Sequence, residues 1–174
     1  MKKNNVKKQK IDYTWDQFHN DITQLAFKIS LSQWVPDYIY GVTRGGLIPA
    51  VRLSHLFKMP MLALHVGTAD FDYEGQESNC AAAEDAFNGK NILIVDDVTA
   101  TGKTFEWIMD DWRRSCLPSD PKWDKVWHQN VRFATLFEVE TFEHNPVGTD
   151  YTVHTVGDSW VVMPWEPATC NYCS

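Results

Sequence analysis

Two adjacent carboxylates, Asp96 and Asp97, sit at the centre of Asn91-Ile-Leu-Ile-Val-Asp-Asp-Val-Thr-Ala-Thr-Gly-Lys-Thr104. They separate an apolar run from a loop of small and hydroxylated residues. A carboxylate pair of this kind suits sugar hydroxyls or a divalent cation. The stretch Thr101-Gly102-Lys103-Thr104 can aim backbone N–H groups, hydroxyls and the N-terminus of a following helix at one anion. Asp-Asp alone would fit an ordinary strand–turn–helix with a solvated acidic turn. The full string points further, because phosphate at one end with polyol and metal at the other describes a phosphorylated sugar.

The elements around this string must place it. Ile92, Leu93, Ile94 and Val95 have the character of a strand buried on both faces, as in a parallel sheet. Helical character resumes at Phe105-Glu-Trp-Ile-Met109 and runs to about Arg114. The intervening loop then sits at the carboxyl edge of the sheet, where open α/β folds bind ligands. A second loop, Thr43-Arg44-Gly45-Gly46, follows a predicted strand at residues 38–42 and reaches the same edge. Its paired glycines let the backbone approach a ligand and offer N–H groups to a second anion.

Elsewhere, Thr14-Trp-Asp-Gln17 has the form of a capping box. Phe18, Ile22, Leu25, Ala26 and Ile29 then recur at helical spacing to about Ser30. A helix over residues 47–57 tolerates Pro49 in its first turn. Further strands are expected over residues 61–66, 131–137 and 151–156, with a short one at 161–163. Residues 67–89 show little periodicity and carry six carboxylates, so a long functional loop is expected there. Residues 115–130, with two prolines and two tryptophans, read as an irregular excursion. The alternation of strands and helices indicates an α/β fold, a mostly parallel twisted sheet with helices on both faces.

The string around Asp96 and Asp97 resembles the PRPP-binding motif of the type I phosphoribosyltransferases: apolar strand, Asp-Asp, variable residues, Thr-Gly-x-Thr. Val42-Thr-Arg-Gly-Gly-Leu-Ile-Pro49 resembles the pyrophosphate loop of the same family. In layout the chain is similar to the bacterial xanthine-guanine phosphoribosyltransferases, from Tyr13-Thr-Trp-Asp16 through both loops to Asp158-Ser-Trp-Val-Val-Met-Pro-Trp165. The resemblance implies the type I phosphoribosyltransferase fold with a small C-terminal hood, mainly in residues 138–174 of a single domain spanning 13–174. It implies that Asp96 and Asp97 hold the ribose hydroxyls and the shell of a Mg2+ ion. Val98, Thr99, Ala100, Thr101, Gly102, Lys103 and Thr104 would cradle the 5-phosphate, and Thr43, Arg44, Gly45 and Gly46 the pyrophosphate. Asp96, Asp97 and Arg44 would carry the catalysis. Trp160 would stack on the base and Val161 offer it a backbone carbonyl, although a tryptophan there also serves plain core packing. Residues 67–89 would close as a lid against water.

Two positions depart from the 6-oxopurine members of that family. They carry Asp directly before Thr-Gly, where this chain has Ala100, and an alanine cannot take or give a proton. They also carry a lysine just beyond the strand at 131–137, where alignment places Val139. Glu138 and Glu140 flank that slot and would favour an exocyclic amine if either faced the pocket. Two readings follow. The first is a Mg-dependent transfer of the 5-phosphoribosyl group from PRPP to a nitrogenous base, a purine by layout, with pyrophosphate released. The second is a PRPP- or nucleotide-binding regulatory protein of the same fold without transfer.

The bulk properties narrow the setting. At 174 residues, 44% apolar and 22% charged, the chain reads as one soluble globular domain. No run approaches the roughly 18 apolar residues of a membrane span, and no secretory segment follows the N-terminus, so a cytoplasmic protein without membrane contact is expected. The net charge is −7, and the five lysines before Ile11 leave −12 on the remainder. Residues 1–12 are therefore expected as a flexible basic tail on an acidic body, and an acidic body argues against nucleic acid as a partner. PRPP and a small heteroaromatic base are the expected partners, in a homo-oligomer, dimer or tetramer. Cys170 and Cys173 have C-x-x-C spacing but no second ligand pair follows them, which leaves a zinc site dependent on residues such as His154.

Overall fold

The structure, a computed structural model, describes residues 9–66, 79–140 and 145–166. The chain opens with β1 (Gln9–Asp12) and α1 (Trp15–Leu31). The expected capping box is present: the Gln17 N–H donates to Thr14 Oγ1 at 3.2 Å, and the Thr14 N–H donates to Gln17 Oε1 at 2.8 Å. Then come β2 (Tyr38–Val42), α2 (Leu47–Phe57), β3 (Met61–Leu64), α3 (Cys80–Phe87), β4 (Ile92–Thr99) and α4 (Lys103–Ser115). A 3₁₀ turn (Pro121–Lys125) precedes β5 (Val131–Val139), β6 (Tyr151–Val156) and β7 (Ser159–Val162).

Five strands form one sheet in the order β3-β2-β4-β5-β6, with every neighbouring pair parallel. Parallel strands need crossovers, and the helices that supply them bury both faces of the sheet. One core packs α1 and α2, through Phe18, Ile22, Leu25, Ile29 and Leu53, against Leu93, Val95 and Leu136. The other packs Ala82, Ala83 and Ala86 of α3 and Phe105, Ile108 and Trp112 of α4 against Ile92, Ile94 and Phe133. From β2 the chain steps outward to β3, then returns to β4 on the other side of β2. The strand order reverses between β2 and β4, and a crevice opens at such a switch point.

Four expectations are corrected. The strand before the acids does not stop at Val95: it runs through Asp96, Asp97 and Val98 to Thr99, held by its ladder with β5. Lys103 and Thr104 belong to α4 rather than to the loop before it. Within 67–89, residues 80–87 form α3, because alanines at 82, 83 and 86 give it a buried face; residues 67–78 lie outside the described residues. Within 1–12, Gln9–Asp12 pair in parallel with Ser159–Val162 as a two-stranded sheet, and residues 1–8 lie outside the described residues.

The excursion at 115–130 carries structure of its own. Asp120 caps the 3₁₀ turn by accepting the Lys122 N–H at 2.8 Å. Trp123 stacks on Trp127 at 5.7 Å and donates its indole N–H to the Cys116 carbonyl at 2.8 Å. β6, which the sequence placed within the hood, completes the main sheet instead, and β7 pairs with β1 in a separate two-stranded sheet.

Candidate functional site

Both expected loops leave the sheet at the switch point. Tyr38–Gly41 of β2 pair with Ile92–Val95 of β4, so the turn after Val42 emerges beside Asp96. The contact between the loops allows no side chain. A Cβ on Gly46 would lie 2.8 Å from the Val42 carbonyl oxygen and 2.9 Å from Asp96 Cα, and closer still to the Val95 carbonyl. A Cβ on Gly45 would run into the Asp97 carboxylate. Glycine is required here for close approach rather than for a left-handed turn. The peptide between Thr43 and Arg44 is cis.

Asp96 is only 8% exposed, and its carboxylate accepts the Asp97 N–H at 2.9 Å. Asp97 in turn accepts the Val98 N–H at 2.9 Å. Burial pushes the Asp96 carboxyl well above the usual carboxylate range, and the neighbouring Asp97 charge pushes it further. Burial also raises Asp97, against the lowering effect of the Val98 N–H. Two buried neighbouring carboxylates resist joint ionisation until a cation arrives.

These residues share a cavity of about 600 Å3, lined by Val42, Thr43, Arg44, Gly45, Ile48, Val66, Asp96, Asp97, Thr104, Trp165 and Glu166. Six of the expected site residues therefore meet: Thr43, Arg44, Gly45, Asp96, Asp97 and Thr104. Gly46 lies beneath them against β4. Val98 and Thr99 stand in the strand, Val98 and Ala100 packed on the core. Thr101 and Gly102 form the turn into α4, whose first N–H groups have no intrahelical acceptor.

Trp160 and Val161 do not line this cavity. Trp160 is 60% exposed on β7, while Val161 turns into the core. Val139 is also core, 4% exposed and in register with Val156. Glu138 does not line the cavity, and its oxygens accept hydrogen bonds from Asn145 Nδ2 at 3.4 Å and Thr149 Oγ1 at 2.9 Å. Cys170 and Cys173 lie outside the described residues.

Val42, Ile48, Val66, Trp165 and Glu166 also line the cavity and were not among the expected site residues. The Trp165 ring packs 5.5 Å from Phe18 and 5.7 Å from Trp15. Its indole N–H is buried and lies near enough to Asp97 to counter the upward push of burial. The available signal was a second tryptophan five residues after Trp160, behind a proline.

The geometry now stands beside known proteins. The sequence profile of the phosphoribosyl transferase domain matches residues 14–169. The chain belongs to that family. It is 27% identical over 164 residues to the xanthine-guanine phosphoribosyltransferase of Cereibacter sphaeroides, covering 89% of this chain and 86% of that protein. Among solved structures it is similar to the purine phosphoribosyltransferase of Pyrococcus horikoshii Ot3, at 30% identity and TM-score 0.64, over 92% of this chain and 97% of the other. A Neisseria gonorrhoeae hypothetical protein with bound ppGpp is 28% identical with TM-score 0.65, over 92% and 91% of the two chains. The 43–46 turn and the 99–104 segment are the stretches expected above to hold pyrophosphate and the 5-phosphate, and are called the pyrophosphate loop and the phosphate loop below.

Proposed function

We infer that this phosphoribosyltransferase moves the 5-phosphoribosyl group of PRPP to a purine base and releases pyrophosphate. The observation that carries the reading is the contact of Gly45 with Asp97, which makes the pyrophosphate loop and the acidic pair one surface. PRPP needs its leaving group and its ribose hydroxyls held side by side, and this surface offers both.

Transfer breaks the bond from C1 to the pyrophosphate oxygen and forms a bond from C1 to a base nitrogen. Positive charge develops on the ribose and negative charge on the departing pyrophosphate. N–H groups of the 43–46 loop and the Arg44 guanidinium would stabilise that negative charge, while Asp96 and Asp97 would hold the ribose through its hydroxyls. Position 100 supplies no acceptor for the proton lost by the base, so that proton passes to solvent water.

The acidic pair fits Mg2+. Its donors are hard carboxylate oxygens, and among the described residues no group of three His, Cys, Asp or Glu forms a dedicated cage. That is the pattern for an ion that keeps several waters and binds through one or two carboxylates plus substrate phosphates. Bound there, the ion would neutralise charge on the leaving group. No helix among the described residues is long and apolar enough to cross a membrane. We assign the protein to the cytoplasm, as a homo-oligomer acting on small molecules.

Pyrophosphate release, measured with PRPP and Mg2+ across adenine, guanine, hypoxanthine, xanthine, uracil and orotate, tests the reading. Turnover of at least one purine and neither pyrimidine is expected. Release with no base would refute it.

The second reading, a nucleotide-binding regulatory protein without transfer, is favoured by Ala100 and Val139 and by the similarity to the ppGpp-bound protein. PRPP or guanine nucleotide binding without pyrophosphate release from any base would select it.

A further inference from the structure

Gly102 precedes α4 with a φ of +71°, and a Cβ there would collide with the Asn145 carboxamide. Asn145 belongs to the connection between β5 and β6, far along the chain from the phosphate loop. Its Oδ1 accepts the N–H groups of Val147 at 3.2 Å and Gly148 at 3.1 Å. Its Nδ2 donates to Glu138 Oε1 at 3.4 Å, while Thr149 Oγ1 donates to the other Glu138 oxygen at 2.9 Å. Glu138 in turn is the register partner of Thr99, the last residue of β4. The carboxamide is thus fixed at both ends and lies against the residue that turns the phosphate loop into its helix.

We propose that Asn145 is a positioning residue for the phosphate loop. Backbone N–H groups hold an anion only along the directions in which they point, and glycine is the residue least able to hold its own direction. Something outside the loop must therefore fix Gly102, and Asn145 occupies the one side on which a Cβ would have stood. Glu138 anchors Asn145 to the same strand ladder that carries Thr99, so the turn and its support share one rigid base. The β5–β6 connection thereby sets affinity for a phosphate that it need not touch. The identity of the ligand, a 5-phosphorylated ribose, rests on the transferase reading above.

Asn145→Ala removes both the carboxamide and its contact with Gly102. Asn145→Ser keeps a short acceptor for the Val147 and Gly148 N–H groups but does not reach Gly102. Calorimetry with ribose 5-phosphate, and separately with pyrophosphate and Mg2+, should be run on wild type and both variants. Both variants are expected to lose about tenfold in ribose 5-phosphate affinity, on the scale of small misplacements in binding sites, with pyrophosphate affinity within twofold of wild type. In steady state the same variants should raise the KM for PRPP and leave kcat within twofold. If Asn145→Ser behaves as wild type, the residue only shapes its own loop and the proposal is overturned. Equal losses for both ligands would mean general damage, and also overturn it. A wild type that binds neither ribose 5-phosphate nor PRPP would remove the transferase reading and this inference together. A wild type that binds both but transfers no base would remove transfer alone, and the two variants would still decide the role of Asn145.

Discussion

Gly45 and Gly46 are neighbours in sequence and differ in what opposes a side chain. At Gly46 the obstacles are backbone atoms of β2 and β4, which cannot step aside. Gly46→Ala should cost about 1–3 kcal/mol, the range for forcing an extra carbon into a packed interior, read as a lower urea midpoint at unchanged slope. At Gly45 the obstacle is the Asp97 carboxylate, a side chain that can turn. Gly45→Ala should keep its stability yet lose the upward shift in melting temperature that PRPP with Mg2+ is expected to give wild type. Asp96 shows the converse trade. Its folded carboxyl is raised above the unfolded value near 3.9, so the folded state holds its proton more tightly. Above the unfolded value the group therefore opposes folding, and the opposition fades as pH falls back through the folded value. Asp96→Asn should raise the melting temperature of the ligand-free protein, by roughly 2–4 °C for each kcal/mol released in a domain of this size. A lower melting temperature would mean that the hydrogen bond the carboxylate accepts from the Asp97 N–H outweighs the cost of its burial.

At the scale of elements, the starts of β5 and β6 are tied by His128 and Asp150. His128 Nδ1 lies 3.1 and 3.2 Å from the two Asp150 oxygens, and Asp150 also accepts the Phe133 N–H at 2.7 Å. The hydrogen bond to Asp150 raises the His128 pKa above its usual value. A raised histidine contributes stability that is full below the unfolded value of about 6.5 and is lost as pH rises through the folded value. Wild type should therefore lose stability from about pH 6.5 upward, and His128→Asn should flatten that slope. Asparagine tolerates the left-handed backbone at this position, where φ is +60°. Urea titrations at several pH values check this, and an unchanged slope would leave the pair without energetic weight. The tryptophan-rich connection before β5 makes a plainer demand. Trp123 is fully buried, so Trp123→Ala should cost about 3–5 kcal/mol by denaturant unfolding. An irregular, solvated excursion would give almost nothing.

Across the whole molecule, what could be read from sequence follows the range of the forces involved. The acidic string, the Arg-Gly-Gly turn and the capping box of α1 are local patterns, and all appear where their residue types require. α3 was missed because its buried face is made of alanines, which barely disturb a hydrophobic pattern. The pairing of β1 with β7 joins the two ends of the chain and leaves no local trace in four residues that include Lys10 and Asp12. Trp165 reaches the cavity because α1 and the segment after β7 pack together, with Phe18 and Trp15 as its neighbours. Asn145 meets Gly102 for a similar reason, through the ladder between β4 and β5. Long-range packing thus completes a candidate site of which two short segments were legible locally. Whether those segments act as one site is tested most directly by calorimetric titration of PRPP into wild type and the Asp96→Asn/Asp97→Asn double variant, with and without Mg2+. Wild type should bind PRPP more tightly with Mg2+ than without it, and the double variant should lose that dependence and most of the affinity while melting no lower than wild type. Unchanged PRPP affinity in a folded double variant would contradict the assignment of the acidic pair.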